Sequence, residues 1–300
     1  MNNFLNVNLG DNKCTSCMAC YAACPVKAIE IVIDKKGFYS PSVNKDKCIN
    51  CGLCQKICPV VNNTIYKNEV QEIYACTNKE EQVRLRSSSG GIFSALANYV
   101  LANNGYVCGA ILDKNLHLYH KVSNSIRDIE DMRGSKYIQS YTGNCYNEIK
   151  TLLDDNITVL FCGTPCQCIG LKAYLQKRYE NLIIVDLLCT CVNPQYLLKE
   201  HVKNITGEFY NNIKVNFRDK ITGWGGNPQG GEFSFSLEWE DNNGKQYKFY
   251  DYLYDDDFFK GFLSHIWMKD SCEKCSYSSS ERVSEFYTWR FLEYWTKRRI

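Results

Sequence analysis

The chain has 300 residues, of which 45% are hydrophobic and 23% are charged, and its formal net charge is +2 at pH 7. This composition is typical of a globular chain with one large or two modest domains, and it excludes a collagen-like or disordered protein. The small net charge provides no basic surface for a phosphate backbone, so we expect no nucleic-acid partner. No apolar run is long enough to span a membrane and no export segment stands out, so we expect a cytoplasmic protein.

The cysteines carry the strongest chemical signal. The chain contains 18 of them, and in a reducing compartment thiols more often bind metals or carry redox chemistry than form disulfides. Two copies of the pattern C-x2-C-x2-C-x3-C-P lie near the amino terminus, separated by a spacer of 23 residues. The eight cysteines of this repeat are Cys14, Cys17, Cys20 and Cys24 in the first copy, and Cys48, Cys51, Cys54 and Cys58 in the second.

This repeat predicts two [4Fe–4S] clusters, because three thiolates on a tight loop can hold one cluster while the fourth reaches the other. We assign one cluster to Cys14, Cys17, Cys20 and Cys58, and the other to Cys48, Cys51, Cys54 and Cys24. A zinc ribbon or a disulfide scaffold is the alternative, but the segment has no histidine to complete a typical zinc site. Residues 29–33, a turn and a return strand are predicted to form a hairpin that covers the clusters. Residues 1–66 are therefore predicted to be a small α+β ferredoxin-like domain.

The density of cysteines falls after this domain, which predicts a second domain over residues 67–300, with parts 67–150 and 151–300. Residues 74–77 are predicted to form a short strand. A serine and glycine run at residues 87–91 precedes a helix whose apolar positions recur at helical spacing. Such a helix start offers free N–H groups and a positive dipole end, which suits a phosphate, although an ordinary helix cap remains the alternative.

A βαβ unit follows. Residues 157–161 and 182–185 are continuously apolar, as in parallel strands that are covered on both faces. The Thr-Pro pair at residues 164–165 predicts the start of the intervening helix. This places Cys166 in the first helical turn, where the dipole favours a thiolate, and Cys189 beyond the second strand at the same edge of the sheet. Ligands bind at this edge in open α/β sheets.

The last third of the chain contains an alternating segment, residues 232–240, which is predicted to form a hairpin with residues 245–250. A helix is predicted over residues 258–267, and the C-x2-C pair of Cys272 and Cys275 follows it. Alone, such a pair is ambiguous between half a zinc site and two ordinary thiols. Together with the two thiols at the sheet edge, it could complete a third cluster.

Five short phrases follow the cysteine repeat in one order, at residues 87–91, 134–140, 163–167, 186–189 and 271–275. Together they resemble the coenzyme F-420 hydrogenase/dehydrogenase beta-subunit family, over residues 10 to about 285. The resemblance implies an α/β flavin domain that binds FAD and one further [4Fe–4S] cluster. It also implies electron transfer between a deazaflavin or similar two-electron carrier and one-electron partners, because a flavin can hold one or two electrons.

The resemblance also implies site residues, although none is assigned as catalytic. The implied flavin contacts are Ser88, Ser89, Gly90, Gly91, Ser135, Lys136, Tyr137, Gly163, Thr164 and Gln167. The implied ligands of the third cluster are Cys166, Cys189, Cys272 and Cys275. Three further thiols, Cys162, Cys168 and Cys191, lie close enough in sequence to compete for that role.

Two departures from the family pattern affect these expectations. The family usually has His-Gly-Val-Pro-Ser after the cysteine that corresponds to Cys189, whereas this chain has Thr-Cys-Val-Asn-Pro at residues 190–194. The expected Gly-Asp-Phe-Trp is also missing after Arg282, but a back-translation of the tail from Tyr287 onward, with synonymous codons chosen to fit, gives it in a shifted frame. We therefore expect a reading-frame slip near residue 286 and a tail of about 15 residues that does not pack.

The sequence thus predicts an iron–sulfur flavoprotein oxidoreductase that passes electrons between a two-electron carrier and [4Fe–4S] clusters through FAD. Its expected fold is an α/β flavin domain with βαβ units plus the ferredoxin-like domain. Two alternatives stay open: an electron-transfer subunit without a substrate site of its own, and a non-catalytic redox sensor. The expected partner is a redox protein or a small-molecule electron carrier, with a hetero-oligomer as one option.

Overall fold

The computed structural model describes residues 13–62, 74–210, 212–221, 233–277, 284 and 286–288. Within these ranges the chain is a mixed α/β protein with a two-stranded, a five-stranded and a three-stranded sheet. None of the described helices has the length and apolar character that a membrane span requires.

The cysteine repeat folds around an antiparallel hairpin, as predicted. Strand β1 (Ile29–Ile33) pairs with β2 (Tyr39–Val43), and the chain reverses at Gly37, whose φ of 84° suits glycine. Three short helices accompany the hairpin: α1 (Ala19–Ala23), α2 (Leu53–Lys56) and α3 (Pro59–Asn62). The domain boundary at residue 66 lies outside the described residues, so it stays a prediction.

The central sheet has five strands in the order β10-β6-β5-β3-β4. The strands are β3 (Tyr106–Leu112), β4 (Leu118–Ser123), β5 (Val159–Gly163), β6 (Leu182–Leu187) and β10 (Phe286–Thr288). All neighbours are parallel except β3 and β4. The helices of this part are α4 (Glu81–Leu85), α5 (Ile92–Ala102), α6 (Ile126–Met132), α7 (Cys145–Asp154), α8 (Pro165–Leu175) and α9 (Gln195–Thr206).

Helices cover both faces of this sheet, which explains why its strands are continuously apolar. Phe161 of β5 joins a core with α7 and α8, whereas its neighbour Leu160 joins a core with α5 and α6. The alternation follows from the two-residue period of a strand. The predicted βαβ unit and the helix that begins at Ile92 are confirmed, with the first strand of the unit starting two residues later than expected.

The third sheet consists of β7 (Lys214–Asp219), β8 (Ser234–Glu240) and β9 (Gln246–Tyr252). It packs with α9 and α10 (Asp257–Leu263) around an aromatic core, and the short α11 (Asp270–Glu273) follows. The predicted hairpin is confirmed as β8 and β9. The helix predicted to reach residue 267 ends earlier, because Trp267 folds back to cover Gly261.

One expectation about local structure is wrong, and a second is contradicted for the three residues of it that the structure describes. Residues 74–77 are irregular rather than a strand, and this segment instead lies against the glycine loop through an Asn78 N–H that donates to the Gly90 carbonyl at 2.7 Å. The tail was expected not to pack, yet Phe286–Thr288 pairs in parallel with β6. Residues 289–300 lie outside the described residues.

The cysteine-rich part docks on the rest of the chain through specific contacts. The Tyr39 N–H donates to Oε1 of Gln139 at 2.7 Å, and Nε2 of Gln139 donates back to the Tyr39 carbonyl at 3.4 Å. Lys36 pairs with Asp270 at 2.6 Å. Helix α1 packs against α7 and α8. The placement of the cysteine repeat relative to the central sheet is therefore set by partly buried hydrogen bonds between the Gln139 side chain and the Tyr39 backbone as well as by packing.

Candidate iron–sulfur centres

The two cysteine loops share an unusual backbone. The second and fourth residues after the first cysteine are left-handed in both copies: Ser16 and Met18 in the first, Asn50 and Gly52 in the second. Such residues alternating with right-handed ones turn successive N–H groups toward one centre, forming the concave nests that bind anions and iron–sulfur groups. The same local geometry therefore arises twice, immediately before α1 and α2.

The thiols fall into two groups within the repeat. We call Cys14, Cys17, Cys20 and Cys58 the inner group, and Cys24, Cys48, Cys51 and Cys54 the outer group. Burial raises the pKa of Cys20 well above its ordinary value, and the nearby Cys17, Cys14 and Cys58 raise it further. Burial also raises the pKa of Cys54, with contributions from Cys51, Cys24 and Cys48.

The fourth cysteine of each copy thus lies with the first three of the other copy. This is the exchange on which the assignment of ligands rests. The donor set fits [4Fe–4S] clusters, since each group offers four thiols converging on a nest. No three His, Cys, Asp or Glu side chains of the described residues are placed to hold one metal ion. The individual ligand roles stay predictions.

A third set of thiols meets at the edge of the central sheet. We call Cys166, Cys189, Cys272 and Cys275 the sheet-edge group. Burial raises the pKa of Cys166 to about 12, and Cys275 and Cys272 are the thiols that raise it further. The pKa of Cys189 is also raised by burial, with Cys166 and Cys272 next to it. Burial outweighs the helix dipole at Cys166, so its metal-free thiol is protonated at neutral pH, contrary to the expectation.

The three competing thiols lie differently. Cys168 is a fully buried residue of α8, and its Sγ lies 3.6 Å from the Gly163 carbonyl. Cys162 neighbours Lys136 and Asp186. Cys191 and Cys168 both border the sheet-edge group, because Cys272 raises the pKa of Cys191 and Cys166 raises that of Cys168, in each case after burial itself. Cys191 is the one of the two that is not already placed against the Gly163 carbonyl. Of the three, it is the one that remains an alternative ligand.

Helix α8 connects the inner group with the sheet-edge group. Cys166 stands in its first turn, where Thr164 and Gln167 form a capping box. Gly170 lies one turn later, and a Cβ built on it would stand 2.7 Å from the Cβ of Cys17 and 2.9 Å from its Sγ. Residues four apart share one helix face, so this face touches both thiol groups. Tyr277 is buried beside the same two groups, with Cys17 and Cys166 both raising its pKa after burial.

The predicted flavin residues form two adjoining loops. The Ser135 N–H donates to Oγ of Ser88 at 2.6 Å, which ties residues 134–137 to residues 87–91. Gly91 is the N-cap of α5 with φ of 80°, and no side chain caps this helix start. A Cβ on Gly90 would come within 2.9 Å of the Cys76 carbonyl, so packing alone requires glycine there. The helix start is suited to an anion, as the phosphate expectation requires.

Several of these side chains already have internal partners. Lys136 Nζ donates to the carbonyls of Asp131, Met132 and Arg133 at 2.8–3.0 Å and so caps the end of α6, while burial lowers its pKa to about 7. The Tyr137 ring packs against Phe217, Phe259 and Phe262. Thr164 and Gln167 bond each other, and Gly163 lies in β5 opposite Asp186. Ser89 lies half-buried in the loop before α5.

Sequence reasoning missed one buried polar group beside these loops. His120 Nδ1 lies 2.8 Å from Oγ of Ser140, and its Nε2 lies 3.2 Å from the Cys162 carbonyl. Burial lowers the pKa of His120 to about 4, with a smaller contribution from Lys136, so the ring is neutral at pH 7. A single histidine in an alternating strand carries no sequence signal that would reveal this placement.

Comparison with known proteins places the cysteine repeat in a recognised family. Residues 13–62 match the family model described as 4Fe-4S dicluster domain. The cysteine repeat is therefore similar to 4Fe-4S dicluster domains. Residues 73–144 match the model described as coenzyme F420 hydrogenase/dehydrogenase, beta subunit N-term. The resemblance derived from the sequence phrases is confirmed over these two segments, and with it the [4Fe–4S] clusters and a relationship to an oxidoreductase subunit.

A solved structure is also similar, though distantly. It is a chain of the xenon-derivatized F420-reducing [NiFe] hydrogenase complex from Methanosarcina barkeri, at 17% identity with a TM-score of 0.38. The match covers 58% of this chain and 60% of that one. No curated protein sequence matches.

Proposed function

We propose that this chain is an oxidoreductase subunit that relays single electrons through three [4Fe–4S] clusters. The inner and outer groups would hold two of them, and the sheet-edge group would hold the third. One observation carries the proposal: a single face of α8 contacts Cys17 of the inner group through Gly170 and presents Cys166 of the sheet-edge group one turn away. One helical turn is about 5.4 Å, so the two sites are adjacent.

The residues between these sites keep the path dry. Gly170, Cys168 and Tyr146 are buried, and the Tyr146 hydroxyl donates to the Gln167 carbonyl at 2.8 Å, so this hydroxyl needs no water. A [4Fe–4S] cluster supplies reversible one-electron transfer when it is bound. Burial in an apolar setting, with N–H groups directed at the sulfurs, is one of the levers by which a protein tunes the potential of such a group.

We further propose FAD at the start of α5, where it would connect a two-electron carrier to the one-electron path. Support comes from the family match over residues 73–144, which includes both serine loops, and from the uncapped helix start at Gly91. Ser88, Ser89, Gly90, Gly91 and Ser135 would bind its phosphates. A deazaflavin or another two-electron carrier would be the substrate, and a further subunit would complete a hetero-oligomer.

A second candidate function is a relay without flavin. It is favoured by the internal partners of Lys136, Thr164 and Gln167, which leave those side chains few free donors for a ligand. In that case the two-electron chemistry would belong to another subunit. Flavin content separates the two candidates directly.

The test is anaerobic reconstitution followed by counting iron, acid-labile sulfide and flavin per chain. Three clusters predict about twelve iron atoms, and the double variant Cys166→Ser/Cys272→Ser should retain about eight. Cys76→Ser is the matched control, because Cys76 is exposed and outside the three groups, and it should retain about twelve.

Equal iron in the wild type and the double variant would refute the third site, and a chain that binds no flavin would leave the relay as the function. Iron content that does not respond to loss of Cys14 or Cys58 would refute the proposal as a whole. Electron paramagnetic resonance of stepwise reduced samples provides a second readout, because each cluster that is lost removes its own signal.

A further inference from the structure

The cysteine-rich part carries an excess of positive over negative charge. Residues 13–62 contain seven lysines but only three acidic residues, Glu30, Asp34 and Asp46, whereas the whole chain has a net charge of only +2. All seven lysines are exposed: Lys13, Lys27, Lys35, Lys36, Lys45, Lys47 and Lys56. The excess positive charge therefore lies on the surface of residues 13–62 and not in their core.

Several of these lysines surround the outer group. Lys47 directly precedes Cys48, Lys56 follows Cys54 by two residues on α2, and Lys27 follows Cys24 by three. Lys47 pairs with Glu30 at 3.5 Å on the surface, an exposed contact of little strength. Lys45 and Lys56 form no ion pair with any described residue. We call the exposed residues 45–47, 49–52 and 55–56 the basic edge.

The outer group reaches the surface at this edge. Cys51 is exposed, and Ile49 beside it has 61% of its surface accessible. In contrast, Cys17, Cys20 and Cys58 of the inner group are buried. The electron path of the proposed function therefore reaches solvent at the outer group, and this end combines the exposed apolar Ile49 with a positive rim. This is the pattern of a site for transient docking with electrostatic steering.

We infer that the basic edge docks an acidic, one-electron carrier protein, which exchanges electrons with the site held by the outer group. This inference rests on the proposed function and names its partner. In the step, one electron leaves the reduced carrier and enters the outer site, so the carrier is oxidised by one electron and the chain is reduced by one. No bond forms or breaks, and no proton is required.

The experiment measures this transfer by stopped-flow absorbance with the reconstituted full chain. The probe is a reduced, acidic two-cluster bacterial ferredoxin, and the test variant is Lys45→Glu/Lys56→Glu. The matched control, Lys114→Glu/Lys203→Glu, makes the same change in net charge on exposed lysines outside residues 13–62. At low ionic strength we expect the test variant to lower the bimolecular rate constant about tenfold and the control to lower it less than about twofold.

The second measurement is the dependence of this rate constant on ionic strength. The wild-type rate with ferredoxin should fall as ionic strength rises, and at about 1 M salt the difference between wild type and test variant should vanish. The milder Lys45→Gln/Lys56→Gln variant should show an intermediate loss. Iron content and circular dichroism confirm that each variant is folded and loaded.

A small reductant separates this inference from the proposed function. Methyl viologen radical needs no protein docking surface, so it should reduce the wild type and both double variants without the tenfold loss. Equal losses in test and control variants, or a salt-independent rate with ferredoxin, would overturn the basic edge as a docking site. If neither ferredoxin nor viologen reduces the chain, the proposed function fails and this inference fails with it.

Discussion

The two copies of the cysteine repeat have the same loop backbone in opposite surroundings. In the first copy, Cys17, Met18, Ala19 and Cys20 are all buried, because α1 packs against α7 and α8. In the second copy, the residues from 49 to 52 are all exposed. The difference shows that spacing determines what a cysteine loop can bind, whereas docking determines which site faces the interior and which faces a partner.

The left-handed positions make the comparison sharper. The fourth residue after the first cysteine is Met18 in one copy and Gly52 in the other, with φ of 63° and 73°. A non-glycine residue in this region costs about 1–2 kcal/mol. Met18 is 1% exposed, so its burial, worth about 1.5–3 kcal/mol, offsets the strain. Gly52 has no atoms within 4 Å of a built Cβ, so no such burial is available there.

The largest expected effect comes from filling the space between α8 and the inner group. Gly170→Leu would place a side chain where Cys17 already stands, with a Cβ contact of 2.7 Å. We expect the variant to lose the iron held by the inner group, about four atoms per chain, while the outer group keeps its own. Iron analysis and electron paramagnetic resonance measure this.

Ala173→Ser, a half-buried position on the same helix, serves as the control and should retain its full iron content. If Gly170→Leu lost the outer group first, the proposed contact between α8 and the inner group would be wrong. If it lost neither, the close approach of Gly170 to Cys17 would not exist in solution.

The next effect concerns Met18 itself. Met18→Ala keeps the unfavourable backbone conformation and removes the buried side chain, so the free energy of unfolding should fall by about 2–5 kcal/mol. Anaerobic urea unfolding of the loaded protein measures the change. Val26→Ala, at a position that is 37% exposed, should change it by less than about 0.5 kcal/mol. Equal effects at both positions would show that the first loop is not buried.

Much of this local structure could be predicted from the sequence. The spacing of the eight cysteines, the predicted strand at residues 29–33 and the apolar strands of the βαβ unit all depend on a few neighbouring residues, and local sequence patterns report such short-range order. The prediction of an N-cap at Thr164 also rested on a few neighbouring residues, and it is confirmed. The failed strand at residues 74–77 shows the limit, because these residues are exposed and meet the glycine loop through backbone groups rather than through strand pairing.

The sites themselves could be predicted only in part. Sequence spacing groups the cysteines of each loop, but nothing in it indicates that Gly170 lies against Cys17, since the two are 153 residues apart. The same holds for the buried His120 and for Lys136, whose amine caps α6 instead of facing solvent. Contacts of this kind depend on how the helices and strands pack against one another. The local periodicity of the sequence carries no information about that packing.

Alkylation of the metal-free chain tests the burial contrast at the level of single thiols. Burial raises the pKa of Cys20, so at pH 8 it holds less thiolate than an ordinary thiol, and raising the pH should speed its reaction. Cys51 is exposed. We expect Cys51 to react with a maleimide at least about tenfold faster than Cys20, as measured by mass spectrometry of timed samples. In strong denaturant the two rates should converge, and similar rates without denaturant would contradict the contrast.

The smallest effect is expected at Gly52, and it isolates backbone strain from packing. Gly52→Ala adds a methyl group into open space, so any loss must come from the left-handed conformation alone. The free energy of unfolding should fall by about 1 kcal/mol, measured as for Met18→Ala. Gln55→Ala, exposed in α2, is the control and should change it by less than about 0.5 kcal/mol. A gain in stability for Gly52→Ala would mean that the second loop does not adopt the backbone of the first, and the shared nest geometry would then hold for the inner group alone.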